Sequence, residues 1–174
     1  ADIISWHDKD GYNSAFLEAQ KLIGNINTMG VEGQRIRFFE TQALKDSFQN
    51  INLINAHKEI SSIRLNKDDE EINCLQKEIK ISEKSLEHTL KYIKVGMTEV
   101  QVKQFLVQEL YKNGGEGLSF DPIVLTGANS ALPHGHSSES NIIKKGDTLL
   151  FDCGATYQGS NADLTRTFFF IYAD

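Results

Sequence analysis

The stretch GDTLLFDCGATYQGSNADLTRTFFF, Gly146 to Phe170, consists of two apolar, β-prone runs separated by TYQGSN. Each run includes one aspartate, Asp152 in the first and Asp163 at the start of the second. Gln158-Gly159 is a turn signal for a two-residue hairpin loop. With those residues as the loop, the two aspartates become diagonal neighbours on one face of the hairpin. A loop shifted back by one residue would set them directly opposite. Either register holds their Cβ atoms about 4.5–8 Å apart, and only a loop with an odd number of residues would part them.

Two carboxylates that close repel each other, and burial adds a desolvation cost. A shared proton, a basic neighbour or metal ions would each relieve the repulsion. Arg166 is three residues beyond Asp163, so on a strand it points to the opposite face. A pair of divalent cations about 3.5–4 Å apart, bridged by carboxylates, fits the spacing. All-oxygen ligation favours Mn²⁺, Co²⁺ or Zn²⁺. From the spacing alone, the alternative is a pair of strand-end aspartates that cap turns.

Upstream of the hairpin the pattern is helical. Ile72, Leu75, Ile79, Leu86, Leu90 and Ile93 form a single apolar stripe over a long helix, with Asp68 to Glu71 in its first turn. Gly96 can stop that helix, and Thr98 with Gln101 has capping-box spacing for the next, which turns Val102, Phe105, Leu106 and Leu110 inward. LSFDPIVLTG, Leu118 to Gly127, reads as one strand, DTLLFDCGA as another and DLTRTFFFIY as a third. Helices followed by antiparallel strands give an α+β class with helices on one sheet face.

Before Leu65 the chain alternates helices, near residues 12–23, 40–48 and 58–64, with a strand or turn at MGVEG, a short strand at INLINA, and a further strand at Asp2–Ser5. His7 and His57 are isolated there and read as structural or solvated. The composition shifts at LNKDDEEI, dividing the chain into residues 1–64 and 65–174.

The 174 residues carry a net charge of −6, which argues against nucleic acid or an anionic membrane as partner. No apolar run approaches the roughly 20 residues of a membrane helix, and no signal peptide opens the chain. Cys74 and Cys153 do not read as a disulfide framework, so a reducing cytoplasm is expected. The start at Ala1 and the stop after TFFFIYAD lead us to expect a fragment.

ALPHGHSS (Ala131 to Ser138) followed by GDTLLFDCGATYQGSNADLTRT closely resembles the pita-bread metallopeptidases: Xaa-Pro dipeptidases (prolidases), Xaa-Pro aminopeptidases and methionine aminopeptidases. Cys153 stands where the family usually has Phe. The resemblance covers roughly Ile63 to Phe170. It implies the first half of a pita-bread catalytic domain, preceded by part of the small α/β amino-terminal domain found in the proline-directed branch. It further implies two divalent metal ions, Mn²⁺ foremost, with Asp152 binding one and Asp163 bridging both. His134 would contact substrate near the scissile bond, and Thr165 would hydrogen-bond the ligand shell. His136 has no firm counterpart.

The implied activity removes the first residue of Xaa-Pro peptides by a metal-bridging hydroxide. The peptide is then the partner, a homodimer is common, and neither nucleic acid nor membrane is involved. The family's other ligands, one histidine and two glutamates, lie beyond the second aspartate strand, where this chain has neither residue type. By itself it is therefore expected to be inactive. A metal-free hydrolase of the creatinase kind and a non-catalytic pita-bread peptide- or protein-binding module are the alternatives. The intact PHGH, FDCGA and ADLTRT weigh against the latter.

Overall fold

A computed structural model describes residues 2–171. The chain divides into two compact units, Ala1–Asn66 and Lys67–Asp174.

In the first unit, helix α1 (Asn13–Ile23) precedes strand β1 (Thr28–Val31), helix α2 (Phe38–Ser47), strand β2 (Asn52–Asn55) and helix α3 (His57–Leu65). β1 and β2 run parallel, Thr28 opposite Asn52 through Val31 opposite Asn55. Parallel neighbours need a crossover, and α2 supplies it. Ala43, Phe48 and Ile51 are buried here. The strand expected at Asp2–Ser5 is absent: among the described residues the only strand pairing in this unit is that of β1 with β2, and Ile3 stands 90% exposed.

The second unit contains the hairpin. Helices α4 (Asp69–Tyr92) and α5 (Glu99–Lys112) come first, then strands β3 (Gly117–Leu118), β4 (Ile123–Thr126), β5 (Thr148–Cys153), β6 (Ala155–Tyr157), β7 (Ser160–Asn161) and β8 (Leu164–Phe169). The strands form two sheets, ordered β3-β6-β7 and β4-β5-β8. The run read as one strand from Leu118 to Gly127 is two, because Pro122 cannot donate to a ladder and Ser119 turns its N–H to Gly154 O and its hydroxyl to Ala155 O. The last strand ends at Phe169, and Tyr172 lies outside the described residues.

Thr98 caps α5 as read from its sequence, whereas Asp68, expected inside the first turn of α4, is its N-cap. Asp68 accepts from Glu71 N, and Thr98 from Gln101 N, each with the reciprocal bond of a capping box. α4 ends at Tyr92, ahead of Gly96, whose φ of +91° instead makes the turn into α5. Val102, Leu106 and Leu110 on α5 are fully buried against Val124, Leu149 and Phe151 of the β4-β5-β8 sheet, while Phe105 is only half-buried and stacks on Tyr92.

The buried face of α4 differs from the expected apolar stripe. Ile72 and Ile79 are exposed, and the buried row is Glu78, Ile81, Ser82, Ser85, Leu86 and Thr89. The hydroxyls are satisfied within the helix: Ser82 donates to Glu78 O, Ser85 to Ile81 O and Thr89 to Ser85 O. Small side chains let the helix approach the strands, so that Ser82 Oγ also accepts from Ala155 N at 3.0 Å.

Glu109 on α5 joins the helix pair from the other side. It accepts from Lys112 Nζ at 2.6 Å and pairs with His88 Nδ1 of α4 at 2.5 Å. Lys112 first, and then His88, hold its carboxyl below the usual carboxylate value. Its stabilising contribution is complete above the unfolded-state value and is lost as the pH falls through the lower folded-state value. Glu109→Gln is therefore expected to flatten the acid side of the stability–pH curve, measured by urea unfolding between pH 3 and 7. An unchanged slope would contradict it.

Candidate metal centre

The hairpin turn is made by Gln158 and Gly159, both with positive φ (48° and 78°), as a two-residue turn of the primed type requires. From that turn one register runs the whole length: Tyr157 opposite Ser160, Cys153 opposite Leu164, Asp152 opposite Thr165 and Thr148 opposite Phe169. Asp163 directly precedes β8, diagonal to Asp152 and on the same face. Of the two registers considered from the sequence, this is the diagonal one.

The hairpin passes from one sheet to the other at Gly154. A Cβ there would lie 1.8 Å from Ala162 O and 3.0 Å from Ser119 Oγ. No side chain fits, and the two aspartates flank this crossing.

β5 has two unlike faces. Leu149, Phe151 and Cys153 are buried beneath the helices, whereas Thr148, Leu150 and Asp152 are half-buried on the other face. Thr165 Oγ1 donates to Asp152 Oδ1 at 2.8 Å, which fixes the rotation of that carboxylate. Arg166 faces the helix side, 3.9 Å from Glu83 of α4. Among the described residues no cationic side chain pairs with Asp152 or Asp163. Their negative potential reaches Cys153, whose thiol burial above all, and then Asp152 and Asp163, push up to about 12. Cys153 is thus a protonated, inert core residue.

The segment bearing His134 lies on the aspartate face. Residues paired across a ladder share a face, so Ile123, Leu125 and Leu150 stand with Asp152. Gly135 packs on Leu125 so closely that a Cβ would meet its Cδ1 at 2.8 Å. His134, next to it, is exposed, and so is His136, whose carbonyl is 3.5 Å from Asn129 Nδ2.

The sequence reading missed what holds this segment. Glu99, the first residue of α5, is fully buried. Its carboxylate accepts from Thr126 N (2.6 Å), Asn129 Nδ2 (3.0 Å to each oxygen), Ser138 N (2.9 Å) and Asn141 Nδ2 (3.0 Å). Ser137 Oγ bonds both Val124 N and Val124 O. Glu99 and Ser137 together satisfy the free edge of β4, which would otherwise be bare.

Two carboxylates that converge without a cation are the donor type hard divalent ions take. The described residues contain no cluster of three or more His, Cys, Asp or Glu side chains that could hold a metal ion. Helices on one face of a bent sheet, with this pair on the other, are the arrangement of one half of a pita-bread domain.

The chain belongs to metallopeptidase family M24, whose profile matches residues 73–173. It is 37% identical over 143 residues to a Mycoplasma genitalium protein provisionally named an Xaa-Pro aminopeptidase, covering 82% of this chain and 39% of that one. It is 31% identical over 156 residues to the Xaa-Pro dipeptidase of Pyrococcus furiosus, covering 87% and 43%. Among solved structures, the X-Pro aminopeptidase from Thermotoga maritima superposes with a TM-score of 0.80 at 32% identity, over 90% of this chain and 44% of that one. The Pyrococcus furiosus prolidase gives 0.77 at 30% identity, over 88% and 48%. The chain thus spans about two fifths of the length of the curated relatives it matches.

Proposed function

We propose that the protein is a metal-dependent exopeptidase that removes the first residue of peptides or dipeptides with proline in second position. The observation that supports this most is the pair Asp152 and Asp163, on one face of one hairpin with no cationic side chain against either. The names of the relatives support the proline preference.

Asp152 and Asp163 would hold two divalent cations, Mn²⁺ foremost, with Co²⁺ or Zn²⁺ as substitutes. When bound, the ions supply Lewis acidity at the scissile carbonyl and acidify water. Thr165 keeps Asp152 in one rotamer, leaving Oδ2 free to face a ligand. His134, exposed on the aspartate face, is suited to hydrogen-bond the substrate's carbonyl oxygen or to carry a proton on a ring nitrogen.

Residues 1–64 are read as part of the amino-terminal domain of the proline-directed branch, and residues 65–174 as the first half of the catalytic domain. The partner is a peptide, the assembly a homodimer and the setting cytoplasmic. Among the described residues no helix is long and apolar enough to cross a membrane.

The test is hydrolysis of Ala-Pro and Ala-Ala, with Mn²⁺ and after chelation, by a polypeptide that carries this chain together with the remaining histidine and glutamate ligands. Ala-Pro is expected to be cleaved at least about tenfold faster, with all activity lost to the chelator. Equal rates, or indifference to the chelator, would overturn the proposal.

A further inference from the structure

We propose that Glu99 is the positioning residue of this site: its side-chain carboxyl group holds the Thr126–Asn141 segment, and with it His134, over the sheet face of Asp152 and Asp163. The assignment rests on the reading of those three residues as the working groups.

The chemistry of the contacts points to a carboxylate. All five polar contacts come from N–H groups. A carboxylate is acceptor only, with about four lone-pair sites. A glutamine here would turn its own N–H₂ against at least two of those donors. No cationic side chain pairs with Glu99 among the described residues. Its charge is offset by the donors themselves and by the α5 N-terminus, where it is the first residue.

The donors are placed on both sides of His134. Thr126 and Asn129 precede it, and Ser138 and Asn141 follow it. The bond to Asn141 is doubled by the Glu99 N–H, which donates to Asn141 O at 3.1 Å. The intervening residues form only a short 3₁₀ turn, Gly127–Ala131. A connection this long without strands takes its shape from such bonds. Asp147 holds the entry to the segment separately, accepting from Thr126 Oγ1 and Lys144 N. Glu99 is the residue that gathers donors from both sides, and the contacts of Asn129 Nδ2 with His136 O and of Ser137 Oγ with Val124 add to it. It is not a catalytic residue, since it is sealed beneath the segment and acts through His134.

Glu99→Gln, His134→Ala and the double variant, made in a metal-loaded polypeptide that also carries the remaining histidine and glutamate ligands, decide the matter. In Glu99→Gln, amide exchange within residues 126–141 is expected to rise about tenfold while the 148–169 hairpin stays protected. The ring resonance of His134 is expected to move while that of His88 does not. kcat for Ala-Pro is expected to fall about 10²-fold with metal stoichiometry unchanged. The double variant is expected to be no slower than His134→Ala alone.

Additive losses in the double variant, or loss of hairpin protection in Glu99→Gln, would reduce Glu99 to a structural residue and overturn the assignment. An unmoved His134 resonance with unchanged exchange would do the same. If the unmodified protein hydrolyses no Xaa-Pro peptide, the preceding functional reading fails, and the exchange and resonance measurements still decide the role of Glu99.

Discussion

Asp163→Asn is expected to lower Xaa-Pro hydrolysis about 10³-fold in a metal-loaded polypeptide that also carries the remaining histidine and glutamate ligands. The substitution keeps the shape of the side chain and removes its charge and one of its two acceptor oxygens. Residues that only orient a metal ligand are typically worth about 10–100-fold, and a shared ligand should exceed them. Asp163 is exposed and outside the core, so the unfolding free energy should change by no more than about 0.5 kcal/mol. The loss can then be assigned to chemistry. Calorimetric titration with Mn²⁺ should show at least one of two binding events lost. Hydrolysis within a few fold of the unmodified protein would remove Asp163 from the site.

The largest stability effect is expected from Gly154→Ala. The added methyl would sit 1.8 Å from Ala162 O and 2.6 Å from Ala162 C. These are backbone atoms, fixed by the bond from Ala162 N to Ala155 O, so no side-chain rotation relieves the clash. The hairpin must open at its bend, between the two aspartates. A cost of about 3 kcal/mol or more follows, read from the urea midpoint. Metal binding should weaken with it, because the strands that present the carboxylates separate. A midpoint within experimental error of the unmodified protein would show that the crossing is laxer than described.

The hairpin was legible because its information is local. Gln158-Gly159 fixes an even loop, and side-chain alternation carries the consequence out to Asp152 and Asp163. The α5 cap was legible for the same reason, Thr98 and Gln101 closing the box within four residues. Less local features were missed. The polar row of α4 looks like a solvent face in sequence. Only its internal hydroxyl-to-carbonyl bonds, and the approach of Ala155, make it the buried one. Glu99 follows an N-cap threonine and reads as an ordinary first-turn acid. Its partners lie 27 to 42 residues away and have no sequence pattern in common. The break between β3 and β4 was readable from Pro122 and was passed over in favour of the apolar run around it.

The two borders of the β4-β5-β8 sheet are not equivalent. Along β4, Ser137 and Glu99 occupy hydrogen-bonding positions that a neighbouring strand would need. Among the described residues β8 pairs with β5 alone. The sheet can therefore be extended in one direction only, and any further strand, from the same polypeptide or another, must be laid down alongside Leu164–Phe169.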